Sequence, residues 1–324
     1  MVADSMMSRF EPYFRSRVSD VSWAFSPDWD ESKLADAVAD ADVYVGLRFP
    51  ESLARRAKSL RLVQVPGAGY DGVDLRALPQ RVVVANTFNH ERSVAEHVLM
   101  VMMALSRSLL DVDADLRRGV WRNPMYAAGL PLPMTLRGKT VGLVGYGHIG
   151  MEIAALAAAF DMKVIAVNRH GANGAVPPRI ESLGTIDDLP SLLQRADFVV
   201  IALPLTADTR GLISATELRS MKRDAYLINV ARGPIVDEEA LDEALREHWI
   251  AGAAVDVWYR YPSDGNTVTP ASFPFHERDN VIMTPHYSGV TQETYRLRAA
   301  DIASNIERLR AGDELLNVVR AAIV

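Results

Sequence analysis

The chain has 324 residues, enough for two domains, and its 49% hydrophobic and 23% charged content is that of a globular protein. A net charge of −6 argues against nucleic acid as the main partner, because that binding needs a basic surface. The absence of cysteine removes disulfides, thiolate nucleophiles and cysteine-ligated metals.

Residues 1–14, MVADSMMSRFEPYF, lack the basic-then-apolar order of a signal peptide and contain no convincing strand. The first sheet is therefore expected to begin irregularly or to lack an element. VSWAF (21–25), VYVGL (43–47), LVQV (62–65) and VVVA (82–85) read as strands, with helical runs at 33–39 and 53–58 between them. Ser93 followed by Glu96 has the form of a capping box, which predicts a long helix starting there and linking two lobes. The apolar run at 94–105 is broken by Glu96 and His97 and is too short to span a bilayer, so a cytoplasmic enzyme without a membrane partner is expected.

From Thr140 onward TVGLVG, KVIAV, FVVIAL, AYLINV, GAAVDV and VIMT alternate with helical runs, which predicts an α/β, doubly wound parallel sheet. A last helix at about 292–311 is expected to pack back on the first lobe. The domains expected are 1–100 with 290–324 as a discontinuous substrate lobe, and 101–289 as a cofactor lobe.

Gly145, Gly147 and Gly150 have G-x-G-x-x-G spacing between a hydrophobic strand and an Ala-rich helix. That context makes the spacing a dinucleotide fingerprint: a tight turn, close approach to the pyrophosphate, and close helix–strand packing. His148 and Ile149 complete the turn as cofactor contacts. A purely structural strand-turn-helix is the alternative. The next strand ends in Asn168-Arg169, where an NAD enzyme usually places an acid for the ribose 2′-hydroxyl. Asn168 removes the repulsion of a 2′-phosphate and Arg169 offers it a fork, so NADP(H) is expected over NAD(H). An Arg169 that only stacks on adenine is the alternative.

GLVGYGHIG, ALPLTADTRGLI, LINVARGPIVDEEAL, GAAVDV and MTPHYSG stand in order along the chain. In combination they resemble the D-isomer-specific 2-hydroxyacid dehydrogenase family from about residue 43 onward. The resemblance implies a flavodoxin-like, discontinuous substrate domain beside a Rossmann-type domain, a homodimer, and hydride transfer between NADP(H) and a small 2-keto or 2-hydroxy acid of the glyoxylate or hydroxypyruvate type. It makes Arg232 the residue that orients the substrate carboxylate and His286 the acid-base group. Asp256 resembles the ligand of the nicotinamide carboxamide, with a turn-capping role as its alternative. Pro204, Val230, Ala231, Ser288 and Gly289 resemble cofactor-lining positions. In the first lobe Ala68 and Gly69 resemble a backbone nest for the carboxylate. His90 and Arg48 are candidates for a further negative group on the substrate.

One position departs from the family. Most members carry a Glu 29 residues after the motif Arg, and this chain has Tyr261 there, before Pro262. A neutral phenol can hydrogen-bond the imidazole but cannot stabilise its cation as a carboxylate does, so His286 is expected to be less basic than in Glu-containing relatives. Asp264 and Glu277 are candidate substitutes. Formate dehydrogenase has an Asn where His90 aligns, and phosphite dehydrogenase a Lys where Ala68 aligns. Both points count against those substrates. An unusual small-anion dehydrogenase and a cofactor-sensing protein without catalysis remain the rivals.

Overall fold

A computed structural model describes residues 1–26, 30–172, 174–263 and 265–322. The chain divides into two compact units, Met1–His90 with Val290–Val324, and Glu91–Gly289. In chain order the strands are β1 (Val43–Val45), β2 (Leu62–Gln64), β3 (Val83–Ala85), β4 (Thr140–Val144), β5 (Lys163–Val167), β6 (Ser182–Gly184), β7 (Phe198–Ile201), β8 (Tyr226–Asn229), β9 (Gly252–Val255), β10 (Val281–Met283) and β11 (Val318–Arg320).

In the first unit the sheet order is β1-β2-β3-β11, parallel except for β11, which runs antiparallel to β3. One core holds Leu34, Val38, Tyr44, Phe49 and Leu53. A second core packs Val2, Met7, Phe14 and Val45 against Ala299, Ile302, Ala303 and Ile306 of helix Gln292–Ala311. That helix starts at Thr291, whose side chain accepts from the Thr294 N–H, and stops at Gly312 with φ 79°. The predicted strand at 21–25 reduces to a single bridge between Phe25 and Val2. Trp23 instead stacks on Phe14 and Phe25, with ring centroids 5.4 and 5.6 Å apart. Ring packing took the place of strand pairing. Val2 also bridges Val45, so this sheet does begin irregularly.

The second unit is a seven-stranded sheet, order β10-β9-β8-β7-β4-β5-β6, parallel throughout. Its central strands are unbroken apolar runs because helices cover both faces. Core residues of helices Glu91–Ser106 and His148–Ala159 cluster on one face, and those of Leu189–Arg195, Ala215–Ser220 and Glu238–Arg246 on the other. Strand order reverses between β4 and β7, and such a reversal opens a ligand crevice beyond the carboxyl ends of the strands.

Helix Glu91–Ser106 lies wholly in the second unit and begins at Glu91, before Ser93. The predicted capping box is not formed. The Ser93 hydroxyl donates to the Ser288 carbonyl at 2.7 Å, and Glu96 pairs with Arg92 at 2.9 Å. Both side chains are committed away from the helix start.

Candidate active site

The glycine turn follows β4 at the point where strand order reverses. Gly145 has φ 109°, and a β-carbon there would lie 2.4 Å from the Ala202 carbonyl oxygen. Only glycine fits that turn. At Gly150 a β-carbon would meet the Gly145 carbonyl oxygen at 2.7 Å, so this glycine seats the helix against the turn. Gly147 differs: nothing lies within 4 Å of its would-be β-carbon, and it is the uncapped start of helix His148–Ala159. Open space above a helix N-terminus suits a phosphate group, so the three glycines fit a dinucleotide. His148 is exposed and Ile149 half-buried at the start of that helix.

At the end of β5 the Asn168 side-chain oxygen accepts from the N–H groups of His170 and Gly171, at 2.9 and 2.7 Å. This shapes the loop on which Arg169 is exposed. Among the described residues Arg169 makes no ion pair. After β7, Pro204 is exposed and its carbonyl accepts from the Thr209 hydroxyl at 2.8 Å.

Arg232, Asp256 and His286 follow the carboxyl ends of the neighbouring strands β8, β9 and β10. The buried amide of Asn229 forms the first turn, accepting from the Ala231 N–H and donating to the Arg232 carbonyl, both at 3.1 Å. Val230 and Ala231 are buried there, and the half-buried Arg232 donates from Nη1 to the Ala231 carbonyl at 2.7 Å. Gly233 follows, where a β-carbon would lie 2.5 Å from the Trp258 carbonyl oxygen. The Arg232 turn therefore rests directly on the backbone after β9.

Asp256 is 1% exposed, and its carboxylate is occupied by the loop after β10. It accepts from the Thr284 hydroxyl at 2.5 Å and from the N–H groups of Tyr287 and Ser288 at 2.7 and 3.0 Å. The Asp256 carbonyl accepts the His286 N–H at 2.7 Å. His286 is exposed with φ 55°, an uncommon backbone state for a residue with a β-carbon. Asp256 thus organises the loop that presents His286, which is the turn-capping alternative. Ser288 is buried and Gly289 half-buried at the loop's end.

Tyr261 lies beside His286, with ring centroids 5.6 Å apart and planes tilted by 58°. The phenol oxygen accepts the Trp258 main-chain N–H at 3.2 Å. Burial pushes the phenol pKa up, with the Trp258 bond and the Arg232 charge opposing. The phenol is therefore neutral at ordinary pH. Glu277 is exposed at 66% of its side chain, with His276 as neighbour at 3.9 Å. Asp264 lies outside the described residues.

Ala68 and Gly69 form a half-buried loop in the first unit, where the Ala68 carbonyl accepts from the Asn86 amide at 2.8 Å. Arg48 is exposed, and its carbonyl accepts the Tyr44 hydroxyl at 2.8 Å. His90 is half-buried at that unit's edge. Sequence reasoning missed Thr284, Trp258, Ser93 and His97. His97 is 8% exposed; burial lowers its pKa, and the negative charge of Asp256 opposes this. Thr284 stands two places before His286 in the same motif. Ser93 carried a local signal for a helix cap, not for its tie to Ser288, and Trp258 and His97 carried none.

A parallel sheet with this glycine turn at its reversal point defines a dinucleotide-binding protein of the Rossmann type. Residues 99–288 match the family described as D-isomer specific 2-hydroxyacid dehydrogenase, NAD binding domain. A glyoxylate reductase of Thermofilum pendens is 36% identical over 288 residues, covering 86% of this chain and 81% of that protein. A D-3-phosphoglycerate dehydrogenase of Methanocaldococcus jannaschii is 33% identical over 89% of this chain, which spans about half (53%) of that relative's length. A solved acyclic imino acid reductase in complex with NADPH and D-Arg superposes with a TM-score of 0.79 at 25% identity, covering 98% and 95% of the two chains. The chain belongs to the D-isomer specific 2-hydroxyacid dehydrogenase family.

Proposed function

We propose that the protein is an NADP(H)-preferring reductase of small 2-keto acids, of the glyoxylate or hydroxypyruvate type. The placement of Arg232 and His286 at the ends of β8 and β10, on either side of the Asp256 anchor, carries this reading. When bound, the cofactor supplies the hydride to the keto carbon. The Arg232 guanidinium, a planar fork, holds and orients the substrate carboxylate. His286 donates a proton to the oxygen as the carbon is reduced, and in the reverse direction takes it back. Gly145, Gly147 and Gly150 with the helix N-terminus hold the pyrophosphate.

Preference for NADP(H) is supported by the exposed Arg169 and by the neutral Asn168 that shapes its loop. A homodimer goes with the same reading. Helix Leu109–Arg117 buries none of its residues, and Leu110, Leu116, Trp121, Tyr126 and Leu132 are all more than half exposed, a surface suited to a second copy. Sedimentation at micromolar concentration distinguishes the two states.

The decisive experiment is NADPH and NADH oxidation against glyoxylate, hydroxypyruvate, pyruvate and a phosphonate-bearing keto acid. One arm pairs a keto acid with ammonia, because of the imino acid reductase likeness, and another offers formate with the oxidised cofactors. Turnover of a keto acid, lost in His286→Gln with NADPH binding kept, upholds the reading. Tight NADPH binding without any turnover replaces it with a cofactor-sensing protein.

A further inference from the structure

Trp258 follows β9, is 6% exposed, and packs edge-on to Phe275 with centroids 6.0 Å apart. Its indole N–H leaves that apolar packing and donates to the Thr284 carbonyl at 2.8 Å. The same carbonyl accepts the main-chain N–H of His286 at 3.1 Å, across Pro285. This is a three-residue turn with proline at its centre, whose ring fixes one of the two torsions.

His286 leaves the turn with φ 55°. A left-handed residue of this kind is strained and persists only where the surroundings hold it. Asp256 holds it from one side through its carbonyl. Trp258 holds the other side through the Thr284 oxygen. The main-chain N–H of Trp258 also fixes the Tyr261 phenol, whose ring lies against the imidazole. One side chain and its own backbone thus brace both the peptide that carries His286 and the ring beside it.

We infer that Trp258 is a positioning residue that sets the direction of the His286 imidazole through the Thr284 carbonyl and the Tyr261 phenol. The inference rests on the proposed acid-base role of His286. A phenylalanine at 258 keeps the packing against Phe275 and removes the indole donor.

Trp258→Phe is expected to lower kcat about tenfold, to leave KM for NADPH and for the keto acid within about twofold, and to change the pH profile of kcat. A merely structural role would lower the unfolding temperature and leave kcat of the folded fraction intact, and that result overturns the inference. His286→Gln is measured alongside; full turnover in that variant sinks the acid-base reading instead, whatever Trp258 does. If Trp258→Phe fails to fold, hydrogen exchange of the Trp258 indole is followed in the wild-type protein. Protection like that of the β9 amides supports the bond to Thr284, and exchange at the rate of a solvent-exposed indole overturns it.

Discussion

The Ser93 hydroxyl donates to the Ser288 carbonyl over 2.7 Å, so helix Glu91–Ser106 is fastened to the loop that presents His286. Ser288 is 5% exposed and its N–H is held by Asp256, so both of its peptide groups depend on named partners. Ser93→Ala leaves a buried carbonyl unpaired, at a cost of about 1–2 kcal/mol. The unfolding temperature is expected to fall by a few degrees and kcat to drop more than KM rises. An unchanged melting curve with unchanged kcat would remove this bond from the account.

The glycines of the turn separate stability from binding. Gly147→Ala meets open space at an extended φ of −101°, so the protein should fold with near wild-type stability and bind NADPH at least tenfold more weakly. Gly145→Ala combines a positive φ with a contact at 2.4 Å to backbone, and should cost about 1–3 kcal/mol of stability. Chemical denaturation and fluorescence titration of both variants check the contrast. Equal losses of stability would show that Gly147 is also structural.

Cofactor preference is tested at the end of β5. Arg169→Ala should raise the KM for NADPH about tenfold and leave NADH little changed, because one charge-assisted contact to the 2′-phosphate is lost. Asn168→Asp should act in the same direction by repulsion, although it keeps an oxygen for the His170 and Gly171 N–H groups. If the ratio of the two KM values stays fixed in both variants, the preference lies elsewhere.

His97 should make the second unit sensitive to acid. Burial lowers its pKa in the folded protein, and the Asp256 charge only partly offsets this. The folded state therefore favours the neutral imidazole. The stability this contributes is fully present above the unfolded value, about 6.5, and is lost as pH falls through the lowered folded value. Thermal unfolding between pH 7.5 and pH 5 should show a steeper loss in wild type than in His97→Gln. Parallel slopes would assign the acid sensitivity to other groups.

The pKa of the Tyr261 phenol is raised by burial, so it stays neutral throughout any practical assay range. Tyr261→Phe should accordingly leave the pH profile of reduction in place. Tyr261→Glu puts a carboxylate close to His286, which favours the imidazolium, and the alkaline limb should move to higher pH. A profile that moves in Tyr261→Phe and stays in Tyr261→Glu would reverse the assignment.

The second unit was legible because its strands are continuous apolar runs and its glycines, Arg232 and His286 sit in local motifs. What escaped was set by distant parts of the chain. β6 and β11 are three-residue edge strands, too short to show a period. Ser93 and Glu96 have capping-box spacing, yet Ser288 and Arg92 claim them. Trp258 lies among other aromatics with no motif of its own, and only the fold brings its indole to Thr284. The buried Asp256 carboxylate meets three donors of the loop after β10, a tie between distant segments that no local spacing shows.

The first unit is completed by residues that a ribosome makes only after Gly289. The face formed by Val2, Met7, Phe14 and Val45 is covered by Ala299, Ile302, Ala303 and Ile306, and β3 gains its outer neighbour only at Val318–Arg320. While the chain is being synthesised, the whole of Glu91–Gly289 emerges with that apolar face still bare. The order of manufacture therefore puts the dinucleotide-binding unit before the first unit is complete and leaves residues 1–90 waiting for their cover, open to the chaperones and wrong contacts that such a delay invites.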